Sequence, residues 1–299
     1  MKDHQLKALI QVAECGSIRA AARAMNLSQS ALTKALRELE EDVGAELLTR
    51  SYKGIDFTPA GNALLVRARL AHATLDKARE EIRLLRGGSG ARIAIALTPL
   101  VAATVLPPIL TEFRQVQPDA FLSLEEGLLN HALPGLLEGR LDFAIALVNP
   151  QDLPYEVFFE PLAEAYAAPT GRIGHPLAGA QTWAQLQDAS WVLNLTDGSM
   201  GNHLLCWLTA SGLQAPKNIV HCSSLTLMLE LMRRTDHIGF GPTALLSDSL
   251  FGAGLQQLSA TPLPPPMSLG ILSLRGIPLS SSARMLAGLF ARRLRKSGT

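Results

Sequence analysis

The interruption Gly87-Gly88-Ser89-Gly90 constrains this chain most, because the sequence changes character across it. Ahead of it runs GNALLVRARLAHATLDKAREEIRLL, in which Leu64, Ala68, Ala71, Leu75, Ala78, Ile82 and Leu85 recur at alternating spacings of four and three. Such a stripe belongs to a long helix that lays one side on another helix. The glycines then stop the helix and supply a flexible joint. Behind them, the apolar runs ARIAIALT, AFLSLEEG and LDFAIALV alternate with the amphipathic LPPILTEFRQVQ and LLNHALPGLLEGR. Runs apolar on both faces and separated by helical segments predict βαβ units, with a parallel sheet covered by helices. SWVLNL, NIVHCSS and HIGFGP repeat the rhythm, and MSLGILSLRG precedes a basic final helix. Two α/β lobes are the economical arrangement, the chain crossing between them near residues 160–166 and returning near 262–266.

Composition narrows the class. At 299 residues, 47% hydrophobic and 18% charged, the chain is too long for one ordinary core and reads as a soluble globular protein of two or three domains. A formal net charge of +1 neither demands nor excludes a polyanionic partner. The three cysteines, Cys15, Cys206 and Cys222, are too scattered for a disulfide framework and suit a reducing compartment. The opening MKDHQLKALIQVAECG is broken by charge and does not read as a signal peptide. The uncharged run over residues 93–110 is divided by three prolines and two threonines, which favours a buried strand, a loop and a helix start over a membrane span. A cytoplasmic protein is expected.

Near the N-terminus, SIRAAARAMNLSQSALTKALRELE joins two short helices with almost no chain between them. Ser17 suits the cap of a helix over residues 18–25, whose alanines allow close helix packing. Asn26 suits the left-handed residue that ends it, and Ser28 the cap of the next. In that second helix Ala31, Leu32, Ala35, Leu36, Leu39 and Val43 form the expected buried stripe, so Gln29, Ser30, Thr33, Lys34 and Arg37 share the opposite face. Amide, hydroxyl and cationic groups toward a helix N-terminus are what a recognition helix presents to base edges in a major groove. An ordinary helical hairpin with a solvated face is the plainer alternative. Against it, the acids Glu38, Glu40, Glu41 and Asp42 gather in the C-terminal half, while Arg50, Tyr52 and Lys53 follow in LLTRSYKGIDFTPAG. That stretch reads as a strand, a glycine turn at Gly54 and a return strand, a wing whose basic tip meets phosphates.

LKALIQVAECGSIRAAA, LSQSALTKALRELE, LLTR and FTPAG resemble, in order and spacing, the winged helix-turn-helix of LysR-type transcriptional regulators. RLDFAIAL, GHPLAG with TWAQL and SWVL, and HIGFGP extend the resemblance through both α/β lobes. Ser30 stands where proline is commonest, Thr33 where serine is usual and Leu48 where phenylalanine is typical; these departures bear on the operator sequence more than on the fold.

The resemblance implies an all-α-type winged helix-turn-helix at residues 1–58, a linker and dimerisation helix at 59–88 and a two-lobed effector-binding domain at 89–299 similar to periplasmic binding proteins. Lobe I would take residues 91–161 and 267–299, and lobe II residues 162–266. It implies a homodimer or homotetramer on double-stranded promoter DNA, a small-molecule effector, contact with RNA polymerase, no membrane association, no resident cofactor and no catalysis. On the DNA-reading head, Gln29, Ser30 and Thr33 are assigned to bases and Arg19, Lys34, Arg37, Arg50 and Lys53 to phosphates, with Ser28 at the helix start. In the effector domain the matching positions are 98–102, 127–130, Leu147 with Val148, and 197–202. Loops at the carboxyl ends of parallel strands, followed by helix N-termini, offer N–H groups to an anion. Thr98, Ser199 and Asn202 add donors, and Leu100, Leu128, Leu129 and Met200 add apolar walls, so the expected effector is a small organic acid with an apolar body.

Three rivals are weaker. DGSMGN lacks the G-x-S-x-G elbow of a hydrolase. A metal-responsive regulator would draw on His203, Cys206, His221 and Cys222, whose spacing matches no strong ligand motif. A solute-binding protein without a regulatory role leaves the first sixty or so residues without a purpose.

Overall fold

The computed structural model describes residues 1–51 and 54–297. Contacts divide the chain into two units, one of residues 1–83 with 137–140 and the other of the remainder.

The first unit opens with α1 (Asp3–Cys15), α2 (Ile18–Ala24) and α3 (Gln29–Val43). Local chemistry sets each boundary. Gly16, at φ 68°, ends α1, and Ser17 Oγ accepts the Ala20 N–H at 3.2 Å to start α2. Asn26, at φ 55°, is the one non-glycine residue with positive φ among those described. Ser28 Oγ then accepts the Ala31 N–H at 3.1 Å, and Gly44, at φ 69°, closes α3. α2 ends at Ala24, one residue short of the expected Met25.

Leu9, Val12, Ala21, Ala22, Leu32, Leu36 and Leu39 join these helices in one core, which Leu47 and Leu65 complete. Ala31, expected in the buried stripe, is exposed. Each residue step turns an α-helix by about 100°, which carries Ala31 off the side fixed by Leu32, Leu36 and Leu39. Ala35 and Val43 lie half-buried at its edge.

β1 (Leu48–Ser51) and β2 (Gly54–Phe57) form an antiparallel ribbon, with Leu48 opposite Phe57. Gly54 is the first residue of β2, paired with Ser51, and not the turn itself. Glu40 Oε1 accepts the Leu47 N–H at 2.8 Å and so ties the ribbon to α3.

α4 (Pro59–Leu85) follows, and its start explains FTPAG. Thr58 Oγ1 donates to the Glu46 carbonyl at 2.7 Å and accepts the Gly61 N–H at 2.9 Å, with Pro59 where no amide hydrogen is needed. Gly61 lies so near the Leu47 carbonyl that a Cβ would come within 2.0 Å of its oxygen. Of the heptad stripe, Ala68 is buried and Leu64 half-buried, whereas Leu75, Ile82 and Leu85 are 51%, 56% and 87% exposed.

The second unit starts with β3 (Arg92–Leu97), α5 (Pro99–Thr104), α6 (Leu106–Val116), β4 (Phe121–Glu126), α7 (Leu129–Leu137), β5 (Phe143–Val148) and β6 (Val157–Ala165). The loop expected after the first strand is instead the short helix α5, begun by Pro99 at its first position. The second lobe holds β7 (Ala167–Arg172), α8 (Trp183–Leu186), β8 (Ser190–Leu193), α9 (Met200–Ala210), β9 (Asn218–His221), α10 (Leu225–Arg234), β10 (His237–Pro242), α11 (Thr243–Leu246) and β11 (Leu255–Gln257). The chain returns as β12 (Met267–Leu274) and ends in α12 (Ser281–Ser297).

Each lobe carries a five-stranded sheet, ordered β4-β3-β5-β12-β6 in the first and β11-β7-β10-β8-β9 in the second. The sheets are mixed, not purely parallel. β4, β3 and β5 run parallel, as do β10, β8 and β9, but the crossing strands pair antiparallel: β12 with β5 and β6, and β7 with β10 and β11. β6 stays paired with β12 as far as Ala165, so the outward crossing falls at Tyr166.

Strand parity sorts the core of the first lobe. Ile93, Ile95, Leu97, Phe143, Ile145 and Leu147 face the main core with Val101, Ile109, Phe113 and Phe290. Ala96, Ala144, Ala146 and Val148 face the other way, onto Ala132 and Leu136 of α7. In the second lobe Trp183 stacks on Trp191, ring centres 6.3 Å apart, and its Nε1 donates to the Pro262 carbonyl at 2.7 Å. No helix among the described residues is long and apolar enough to cross a membrane.

Candidate functional site

Two surfaces carry the polar groups singled out by sequence. On α3, Gln29, Ser30, Thr33, Lys34 and Arg37 lie together on one concave face, with Glu38 and Glu41 at its far end. Gln29, Ser30, Lys34 and Arg37 are exposed, and Thr33 is half-buried with its hydroxyl donating to the Gln29 carbonyl at 2.8 Å. Ser28 Oγ is engaged by the Ala31 amide and by Ser30 Oγ at 3.0 Å, so its first task is to fix the start of the helix. Lys34 Nζ lies 3.8 Å from Glu38 Oε1, a loose exposed pair of little net strength. Arg19 is exposed on α2. Arg50 falls in β1. Tyr52 and Lys53 lie outside the described residues.

The second surface is a cavity of about 320 Å³ in the second unit, at the carboxyl ends of strands from both lobes. Thr98 follows β3, Glu126 ends β4, and Leu147 lies in β5; from the other lobe come Asn194 after β8, Ser223 after β9 and Pro242 at the end of β10. Leu100, Leu128, Leu147, Met200, Met228, Phe240 and Leu245 supply apolar wall. Asn130, His131, Thr196 and Ser199 add polar groups.

Thr98 is the most informative of these. It is 1% exposed, and its hydroxyl has no hydrogen-bond partner among the described residues. A buried hydroxyl left unpaired costs free energy unless a ligand or water satisfies it. On the other lobe the first residues of α9, Met200 and Gly201, line the same cavity. Ser199 Oγ accepts the Asn202 N–H at 3.1 Å, while Met200 and Gly201 sit in the helix's first positions, where no intrahelical acceptor exists for their amides. Gly201 lets α9 pack closely on the chain after β8, since a Cβ there would come within 2.3 Å of the Asn194 carbonyl oxygen.

Five of the eight sequence-expected effector residues line the cavity: Thr98, Leu100, Leu128, Ser199 and Met200. Three do not. Val148 points to the opposite face of its sheet, because alternation sends Leu147 inward. Leu129 packs on that same outer cluster, and Asn202 takes part through its backbone in the α9 cap. The sequence reading missed Glu126, His131, Asn194, Thr196, Met228, Phe240 and Leu245. Phe240 and Pro242 carried a signal, the end of a glycine-rich strand in HIGFGP; Met228 and Leu245 come from helices whose facing only the fold decides.

Three of the four metal-capable residues are otherwise engaged. His203 Nε2 meets the Pro265 carbonyl at 3.1 Å, His221 Nδ1 accepts the Leu195 N–H at 3.2 Å, and Cys222 Sγ meets the Ser224 carbonyl at 3.5 Å. Cys206 is exposed, and the described residues contain no group of three or more side chains placed to hold a metal ion.

Residues 4–62 match the family model for bacterial regulatory helix-turn-helix proteins of the lysR family, and residues 86–295 match that for the LysR substrate binding domain. The chain is 28% identical over 246 residues to the HTH-type transcriptional regulator TdcA of Escherichia coli (strain K12), covering 82% of this chain and 78% of that one. It is 28% identical over 299 residues to the probable HTH-type transcriptional regulator LrrA of Synechococcus elongatus, covering 96% and 93%. Among solved structures, ArgP from Mycobacterium tuberculosis aligns with TM-score 0.72 at 21% identity over 97% of this chain and 96% of its own. Full-length CbnR in complex with its target DNA aligns with TM-score 0.65 at 20% identity over 99% and 100%. With both models matched in order along nearly all of its length, the chain belongs to the LysR family of bacterial transcriptional regulators, a helix-turn-helix DNA-binding unit joined to a two-lobed substrate-binding domain.

Proposed function

We propose that residues 1–58 read promoter DNA, residues 59–88 join copies of the chain, and residues 89–299 hold a small organic acid that alters the spacing of the joined reading heads. Gln29, Ser30 and Thr33 contact bases, and Arg19, Lys34, Arg37, Arg50 and Lys53 contact phosphates. Paired heads call for a pseudo-palindromic operator. An effector that binds two arrangements of lobes or subunits unequally shifts their balance, and with it DNA bending and contact with RNA polymerase.

The observation that carries the effector assignment is Thr98, whose buried hydroxyl is unpaired and which lines one cavity together with Met200 and Gly201 at the start of α9. A carboxylate accepts from that hydroxyl and from the first amides of α9, and the apolar wall takes the rest of the molecule. Titration calorimetry with four- to eight-carbon carboxylic acids, with and without an α-amino group, tests it. The purified protein is expected to bind at least one such acid. Thr98→Val, which keeps shape and removes the donor, should weaken that binding at least about tenfold with an unchanged unfolding temperature. Binding of the matching primary amides in place of the acids contradicts the assignment.

The head makes separable predictions. Lys34→Ala should lower the slope of log affinity against log salt by about 0.9 and weaken all DNA sequences alike. Gln29→Ala should instead relax sequence preference by about 1 to 3 kcal/mol. Binding to matched and scrambled operators across a salt series separates the two, and an unchanged salt slope in the lysine variant removes it from the phosphate contacts.

A further inference from the structure

The charge around the cavity narrows the ligand beyond an organic acid. Among the described residues no lysine or arginine lines it. Its charged or chargeable lining groups are Glu126 and His131, and His131 Nε2 is held by Glu125 Oε2 at 2.7 Å. The Glu125 carboxyl beside that imidazole makes it a poor counter-charge for an anion. Among the described residues Glu126 makes no ion pair, so its charge would repel the carboxylate of an acid bound in the cavity.

Register places Glu126 near Thr98. It pairs with Leu97 across β3 and β4, and the Gly127 N–H donates to the Leu97 carbonyl at 3.0 Å, so Glu126 is the strand neighbour of the residue just before Thr98. Neighbouring strands stand about 4.8 Å apart. A negative group and a buried, unpaired hydroxyl donor thus share one end of the first lobe, on neighbouring strands.

We infer that the ligand is a zwitterion, an α-amino acid with an apolar side chain, whose ammonium meets Glu126 while its carboxylate meets Thr98 and the α9 amides. The inference rests on the organic-acid reading above and adds the second charge. The side chain then lies toward Met228, Phe240 and Leu245. Behind these three a smaller apolar cavity of about 50 Å³, which they also line, continues toward Met232 and Leu255. Leucine, methionine and phenylalanine have bodies of the right character, and methionine walls adapt to several shapes.

Calorimetry on the full chain with L-leucine and L-phenylalanine, against 4-methylpentanoate and 3-phenylpropanoate, tests the second charge. The amino acids are expected to bind at least about tenfold tighter than their deaminated partners. Glu126→Gln should bring the two classes to within about threefold of each other, at an unfolding temperature close to that of the unaltered protein because Glu126 is exposed. Equal or tighter binding of the deaminated acids by the unaltered protein, or a preference that survives Glu126→Gln, overturns the zwitterion and leaves the organic-acid reading standing. Binding of neither class, or only of uncharged amides, overturns both.

Discussion

Leu75→Glu combined with Ile82→Glu is expected to reduce the protein to single chains and to lower its affinity for operator DNA at least about a hundredfold. Both side chains are more than half exposed on α4, so within one chain the change removes little packing. In a paired helix they become seam positions, and burying carboxylates there without partners is strongly unfavourable. The DNA effect is larger than the seam energy alone suggests. Two joined heads bind their half-sites with one arriving at the other's effective concentration, a gain of about 10² to 10⁴ that a single head forfeits. Sedimentation at several concentrations, beside operator titration, measures both effects. Arg79→Ala, off the stripe, serves as the control. A double variant that sediments and binds like the unaltered protein removes α4 from the joining role.

Gly61→Ala is expected to destabilise the DNA-reading unit by about 3 kcal/mol while leaving the effector domain intact. The added methyl would sit 2.0 Å from the Leu47 carbonyl oxygen and 2.9 Å from its carbon, and backbone atoms cannot swing aside as a side-chain tip can. Either the start of α4 lifts away or the strand after Leu47 shifts. Both disturb the hydrogen bonds that Thr58 makes to Glu46 and Gly61. Thr58→Ala should cost less, about 1 to 2 kcal/mol, because it removes the cap without a clash. Thermal unfolding, followed with ligand titration, separates the units: DNA binding falls and ligand binding persists. An alanine variant with undiminished stability would show that the close approach is easily relieved.

Legibility in the sequence follows the range of the interactions. Ser17, Asn26 and Ser28 act on residues within a turn of themselves, so the helix pair and the joint between its helices could be read from residue types. The polar side of α3 followed from the helical period once Leu32, Leu36 and Leu39 were taken as core. The cavity was harder, since its walls come from strand ends far apart in the chain. A tract after a strand could be located, but which of its side chains turn inward depends on parity, and this misplaced Val148 beside Leu147. Leu129 and Asn202 were misplaced for the helical version of the same reason. The antiparallel crossing strands were not foreseen either, because an apolar run reads the same in both directions and only its partners fix its sense. Glu126 went unnoticed because an acidic residue at the end of an edge strand looks like any solvated one until Thr98 is seen beside it.

The central claim is that two copies of this chain lay the exposed side of α3 along one DNA duplex. A footprint on the DNA upstream of the protein's own gene, made with purified, folded protein in dilute buffer, tests it most directly. Two protected patches separated by about 34 to 36 Å along the helix axis, or a multiple of that, are the predicted result. Folded protein that retards and protects no fragment even at low salt would contradict it.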